Sequence, residues 1–296
     1  MTMTRRGLLK VLGAAAGAAA IAPATAEARA ARKSNPDDLG LLFDATLCVG
    51  CRACSIGCRD ANGMPPDVAM IGGAPYDAPA DLNGSTMSVI RLWSTEKETG
   101  YLKAQCMHCA DPACTSVCMM GALHKGKRGV VQYDVERCVG CRNCQIACPF
   151  NVPKFEWAAA SPKIIKCELC RHRWEKGKGP ACAEVCPRGA VISGSRPELL
   201  AEARRRLAAT PKAYQGGIYG ETEGGGTACL YLSPVGFGPL GLPPLGDQPA
   251  PALVESVQHA IYQGAFAPLA LLGTFAVVAW KNRHAATAAA AEEDES

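Results

Sequence analysis

Seventeen cysteines stand in the 296 residues, and sixteen of them fall into four groups of four. Cys48, Cys51, Cys54 and Cys58 are spaced C-x2-C-x2-C-x3-C. Cys138, Cys141, Cys144 and Cys148 repeat that spacing in nearly the same residues, CVGCRNCQIAC against CVGCRACSIGC. Cys106, Cys109, Cys114 and Cys118 read C-x2-C-x4-C-x3-C, and Cys167, Cys170, Cys182 and Cys186 read C-x2-C-x11-C-x3-C. Thiols at such spacings can do three kinds of chemistry. A structural zinc site takes four ligands, usually as two separated pairs. A disulfide framework suits short exported chains of small modules. A compact C-x2-C-x2-C loop can bring three thiolates onto three irons of one cubane, while the fourth cysteine leaves the loop for another cluster. The strict spacing and the chain length favour the third, with all sixteen grouped cysteines as ligands.

The groups are of two kinds in alternation. The first and third follow an aromatic–Asp pair, Phe43-Asp44 and Tyr133-Asp134. The second and fourth close as PACTSVC and PACAEVC, and each is followed by Gly-Ala-apolar: Gly121-Ala122-Leu123 and Gly189-Ala190-Val191. Such self-similarity marks one supersecondary unit used twice. The unit is a two-cluster ferredoxin, so four [4Fe–4S] clusters are expected. Cys229 is left over and is expected to be a buried, inert thiol.

Elements must hold these loops. The fold class expected is α+β, a duplicated two-cluster ferredoxin-like domain with short strands and many loops, plus one C-terminal transmembrane helix. The cluster domain is placed at residues 27–195, with strands at 88–93 and 129–134 and a long insertion loop at 64–85. Residues 196–252 are read as a helix, a strand and a Gly/Pro-rich extended strap. Ser195 and Glu198 form a capping box for the helix, which runs to about Ala208 with Leu199, Leu200, Ala203 and Leu207 facing inward. The strand covers 228–232.

The ends carry addresses. Residues 1–26 read as a twin-arginine signal peptide: Arg5-Arg6, then a weakly hydrophobic Ala/Gly-rich run, then Ala24-Thr25-Ala26 as a cleavage site. Export of folded cargo fits a protein whose clusters are assembled in the cytosol. Residues 256–280 contain no Asp, Glu, Lys or Arg. At about 1.5 Å per residue they would make about 37 Å of helix, enough to cross a hydrocarbon core. A transmembrane helix is therefore expected over 253–280, with Pro268 tolerated there. Lys281 and Arg283 put its end in the cytoplasm, and 281–296 become a cytoplasmic tail. The body then sits on the periplasmic side of a bacterial inner membrane. His259 and Tyr262 fall one turn apart at the periplasmic end of this helix.

The chain has 31 basic and 27 acidic side chains. Loss of residues 1–26 removes Arg5, Arg6 and Lys10 and leaves 28 against 27. That balance is too even for a nucleic-acid binder. No nucleophile–base pair, phosphate loop or dinucleotide fingerprint is present, so no catalytic residue is assigned, and the chain reads as a non-catalytic electron carrier.

Four cysteine groups with a lengthened loop in the fourth resemble the ferredoxin subunits of membrane-bound oxidoreductases. More narrowly, the chain is similar to the HybA-type iron–sulfur subunits of periplasmic [NiFe] uptake hydrogenases. The likeness rests on the twin-arginine signal, LCVGC (47–51), KCELC (166–170), EVCP-x-GAV (184–191), EGGGT (223–227), QH-x-x-Y-x-G (258–264) and the tail helix. The resemblance implies cross-pairing: Cys48, Cys51 and Cys54 with Cys186; Cys167, Cys170 and Cys182 with Cys58; Cys106, Cys109 and Cys114 with Cys148; Cys138, Cys141 and Cys144 with Cys118. It also implies hydrogenase small and large subunits and a polytopic quinone-reactive membrane subunit as partners, with electrons running from H2 to quinone. The alternatives are the iron–sulfur subunit of a membrane formate dehydrogenase or other molybdopterin oxidoreductase, and a structural or assembly iron–sulfur protein. One departure from the family pattern stands out. Pro149 and Pro187 follow the last cysteine of their groups, but Arg59 and Met119 take that place in the other two, which is expected to loosen the turn.

The double variant Arg5→Lys, Arg6→Lys should leave the protein in the cytoplasm. Cell fractionation checks this, and mature protein found in the periplasm would count against the signal.

Overall fold

The computed structural model describes residues 29–65, 79–157, 159, 162–252, 255 and 272–280. The expected signal peptide, His259, Tyr262 and the tail 281–296 lie outside the described residues, as do residues 66–78 of the insertion loop and most of 253–280. Residues 272–280 are helical. Among the described residues no helix is long and apolar enough to cross a membrane.

In chain order the elements are β1 (Leu39–Asp44), α1 (Ala53–Ala61), β2 (Ser88–Ser94), β3 (Thr99–Gln105), α2 (Ala113–Ser116), β4 (Leu123–Lys125), β5 (Val131–Tyr133), α3 (Asn143–Ala147), β6 (Lys154–Phe155), β7 (Ile164–Ile165), α4 (Arg171–Trp174), α5 (Ala181–Glu184), β8 (Val191–Ser195), α6 (Arg196–Ala209) and β9 (Cys229–Leu232). Residues 30–251 form one compact unit. It mixes short strands with short helices, as a ferredoxin-like domain does. Strand β5 is shorter than the 129–134 expected because a 3-10 turn over Lys127–Gly129 precedes it, with Arg128 and Gly129 at φ 54° and 70°.

The largest sheet has the order β8-β1-β9. Strand β1 is antiparallel to β8 and parallel to β9. Its sequence, LGLLFD, is apolar without alternation because both faces are covered. On one face Leu42 packs with Leu199 and Ala203 of α6 and with Leu230 and Leu232 of β9. On the other, Leu41 and Phe43 join the main core with Trp93, Leu102, Tyr231 and several cysteines. Strands β2 and β3 form a hairpin, and β4–β5 and β6–β7 form two smaller ones. Within the Gly/Pro-rich stretch, Val235, Leu240 and Leu242 are buried in the main core. The Tyr219 hydroxyl donates to the Pro243 carbonyl at 2.7 Å, so this part of the chain packs on the body.

Helix α6 is the longest in the unit. The Ser195 side chain accepts from the backbone at Glu198 while Glu198 accepts from the Ser195 amide at 2.9 Å, a complete capping box with Pro197 in the first turn. Leu199 and Ala203, four apart, are buried, and Leu200 and Leu207 pack beside them. Asp44, wholly buried at the end of β1, anchors the other end of α6. It accepts from Arg206 Nη1 at 3.0 Å and from the Tyr214 hydroxyl at 2.9 Å.

Arg206→Met should cost about 3 kcal/mol, because it strands the Asp44 carboxylate away from water. Arg205→Met, which breaks only an exposed pair with Glu202, should cost under about 1 kcal/mol. Thermal unfolding of both variants checks this; equal effects would show that Asp44 does not depend on Arg206.

Candidate metal centres

The duplication is written into the backbone around the cysteines. Asp44 and Asp134 each accept from the amide two residues on, Thr46 and Glu136, both at 3.0 Å. Each also donates its own amide to the alanine of a Gly-Ala-apolar stretch: Asp44 to Ala190 and Asp134 to Ala122, both at 2.8 Å. The aromatic–Asp pair is thus a turn that aims the chain at the first cysteine of its group. Matching positions share positive φ: Gly50 and Gly140 at 68° and 71°, Arg52 and Arg142 at 59° and 64°, His108 and Leu169 at 47° and 51°. Left-handed residues between cysteines let the loop curl around a volume instead of running past it.

Strand pairing decides which groups meet. Phe43 of β1 is opposite Val191 of β8, which joins the first group to the fourth. Leu123 of β4 is opposite Tyr133 of β5, which joins the second to the third. One ferredoxin unit is therefore nested inside the other. In every group the last two cysteines are four apart, in or just beyond a short helix: Cys54 and Cys58 on α1, Cys114 and Cys118 at α2, Cys144 and Cys148 at α3, Cys182 and Cys186 at α5. The third cysteine of each stays with its own loop and the fourth crosses to the partner group.

Four thiol sets result. Cys48, Cys51, Cys54 and Cys186 line one cavity, and Cys118, Cys138, Cys141 and Cys144 line another. Cys58, Cys167, Cys170 and Cys182 act on one another. So do Cys106, Cys109, Cys114 and Cys148. Among the described residues no three His, Cys, Asp or Glu side chains are placed to grip one metal ion. In the sets of Cys48 and Cys138 the thiols surround a volume, the arrangement that a polynuclear cluster needs.

Electrostatics points the same way. Burial pushes the Cys48 thiol up to about 11 and those of Cys144 and Cys182 up to about 12, and neighbouring thiols push in the same direction. The Cys109 and Cys167 thiols are held well above the usual value for the same reasons. Thiolates there are stable only against a cation, which iron would supply when bound. Backbone amides assist: Leu169 donates to Cys167 Sγ at 3.3 Å and Leu123 to Cys118 Sγ at 3.5 Å.

Cys229 stands outside the sets. It is buried, donates to the Cys106 carbonyl at 3.3 Å and accepts from Gln105 Nε2 at 3.4 Å. Arg59, in place of proline, does not loosen its turn. It lets α1 continue three residues past Cys58, whereas Pro149 follows the end of α3 closely. The buried Arg59 side chain donates to the carbonyls of Pro65 and Ser85 at 2.6 and 2.8 Å, pinning both sides of the insertion. Sequence reasoning missed Lys103, Lys166 and His108, all buried beside the thiols. His108 accepts from the Val131 amide at 3.0 Å, and burial, with Lys166 and Lys125 nearby, holds its pKa well below the usual value. The one available signal was Lys103 within the otherwise apolar end of a strand.

Known proteins similar to this chain include iron–sulfur proteins and subunits of such complexes. A family profile described as a 4Fe-4S dicluster domain matches residues 97–196, which hold the second, third and fourth groups. The "Hydrogenase-2 operon protein HybA" of Escherichia coli O157:H7 is 39% identical over 95% of this chain and 96% of its own length. The "Formate dehydrogenase, nitrate-inducible, iron-sulfur subunit" of Escherichia coli K12 is 34% identical over 82% of each chain.

Gly50 tests the loop geometry. Its φ is 68°, and a Cβ there would lie 2.4 Å from the Tyr101 ring. Gly50→Ala should cost about 2 kcal/mol or more and loosen the loop that carries Cys48 and Cys51. Thermal unfolding measures the first effect and iron retention under a chelator the second; wild-type behaviour in both would show the loop to be tolerant.

Proposed function

This chain belongs to the HybA-type family of ferredoxin subunits, and from that premise we propose that it carries four [4Fe–4S] clusters and conducts electrons from a periplasmic [NiFe] hydrogenase to a quinone-reactive membrane subunit. It is an iron–sulfur electron-transfer subunit of the hydrogenase and formate dehydrogenase type. The finer reading rests on one observation: all sixteen grouped thiols fall into four sets of four, joined end to end. A [4Fe–4S] group, when bound, supplies one-electron transfer. Everything else is the work of this chain's residues.

The order of the sets follows from which thiols act on one another. Cys54 acts on Cys182, linking the set of Cys48, Cys51, Cys54 and Cys186 to that of Cys58, Cys167, Cys170 and Cys182. Cys229 acts on Cys167 and is itself acted on by Cys106, linking the second set to that of Cys106, Cys109, Cys114 and Cys148. Cys144 acts on Cys114 and brings in the last set. Cys51 and Cys141, in the two terminal sets, are exposed, whereas all four thiols of the second set are buried. Exposed apolar side chains rim both ends: Val49 and Ile56 beside Cys51, and Met119, Val139 and Ile146 beside Cys141. A line of sites with open, apolar ends suits a conductor docked between two proteins.

The hydrogenase reading is favoured over a formate dehydrogenase by the extent of the first likeness, which covers 95% of this chain. Twin-arginine export, the periplasmic position and a membrane helix over 253–280 belong to the same proposal.

The purified complex should hold about sixteen irons in this subunit, four per site, and should accept electrons from H2 and not from formate. A count near eight, stoichiometric zinc, or reduction by formate alone would overturn it. Deletion of residues 253–296 should spare H2 oxidation with an artificial dye and abolish quinone reduction; quinone reduction at the normal rate would show that the helix is not part of the route.

A further inference from the structure

Lys103 is wholly buried, and its Nζ has no hydrogen-bond partner. Lys166, the other lysine buried among the described residues, donates from Nζ to the carbonyls of Val131 and Cys167. An ammonium taken from water with nothing to donate to is unstable unless negative charge surrounds it. The four strongest charges acting on Lys103 are all thiols: Cys182, Cys54, Cys58 and Cys167. Cys54 belongs to the first set. The other three belong to the second, whose remaining member, Cys170, also feels Lys103. The side chain therefore ends at the junction between two cluster sites.

Strand β3 places it there. Side chains two apart share a face of a strand, so Tyr101, Lys103 and Gln105 form one row. The Tyr101 ring packs on Gly50 in the loop of the first set. Gln105 reaches Cys229, which bonds to the Cys106 carbonyl of the third set. The row thus runs beside three of the four sites, with Lys103 at the first junction. Its backbone is held from two sides, by pairing with Ile90 of β2 and by the Tyr231 hydroxyl, which donates to the Lys103 carbonyl at 2.7 Å.

We propose that Lys103 is the potential-setting cation of this junction, one ammonium shared by the cluster sites of Cys48, Cys51, Cys54 and Cys186 and of Cys58, Cys167, Cys170 and Cys182. It rests on the cluster reading above. Reduction adds one negative charge to a site whose thiolates are already negative, and a fixed cation in a poorly screened interior favours the reduced form. Placed between two sites, the charge raises both potentials together and keeps the step between them small. Lys103 touches no substrate and moves no proton; it acts through the two sites it separates.

The test uses the full-length protein with Lys103→Met and Lys103→Arg, read by iron content and by redox titration followed with EPR. Lys103→Met should keep about sixteen irons while two of the four transitions move to lower potential by at least tenfold in the reduction equilibrium, about 59 mV for one electron. The other two should stay in place, and Lys103→Arg should recover most of the shift. If Lys103→Met sheds the iron of two sites and Lys103→Arg keeps it, the charge holds those sites together instead of setting their potentials, and the assignment is overturned. Full iron with four unmoved transitions overturns it, as does an equal shift or an equal iron loss in both variants. A wild-type count near eight removes the cluster reading itself, a failure distinct from unmoved potentials at full iron.

Discussion

A thiolate taken out of water is unstable unless a cation meets it, and this chain gathers its grouped thiols largely in the interior. The rest of the architecture depends on that constraint. Cys54, Cys106, Cys167 and Cys182 are members of the main core, beside Phe43, Trp93 and Leu102. Cys114 and Cys144 take the same place in the core of the inner unit, with Leu123, Val131 and Phe155. The apolar packing is built around the thiol sets. Strands as short as Lys154–Phe155 and Ile164–Ile165 do not stand alone; they persist because the loops they join are fastened to something else.

Nesting follows from two strand pairings. Because β1 pairs with β8, the first cysteine group must close with the fourth, and the second and third are left to close with each other. The same pairs of hydrogen bonds, from Asp44 to Ala190 and from Asp134 to Ala122, recur in the two units. A duplicated sequence thereby becomes two nested units, each joining a pair of cysteine groups. Departures from the repeat have local reasons. With Arg59 in place of proline the helix runs on, and the guanidinium secures carbonyls on both sides of an insertion that the inner unit lacks.

Charge is distributed to match. The two lysines buried among the described residues lie just ahead of the second and fourth groups, three and one residues before their first cysteines, an offset of two that keeps both on the same side of an extended chain. They nevertheless do different things. Lys166 is capped by carbonyls and lowers the cost of a thiolate at Cys114, whereas Lys103 is left facing thiols of two sets. The grouped cysteines that remain exposed, Cys51 and Cys141, fall in the terminal sets, where a partner can approach.

The ligand type, the duplication, the capping box of α6 and strand β9 were legible in the sequence, because each depends on residues a few positions apart. Spacing within eleven residues sets how three thiols can surround a cluster, and Ser195 with Glu198 states where a helix begins. The partner of each fourth cysteine was not legible from spacing: Cys186 meets Cys48 across 137 intervening positions, and only the pairing of β1 with β8 brings them together. Nor was the place of Lys103. A lysine on a strand reads as a solvent-facing residue, and what surrounds it comes from α1, α5 and the segment before α4, none of them adjacent in sequence. Local backbone preference acts over a few residues, whereas the field at a buried charge is the sum over everything that the fold brings within a few ångströms.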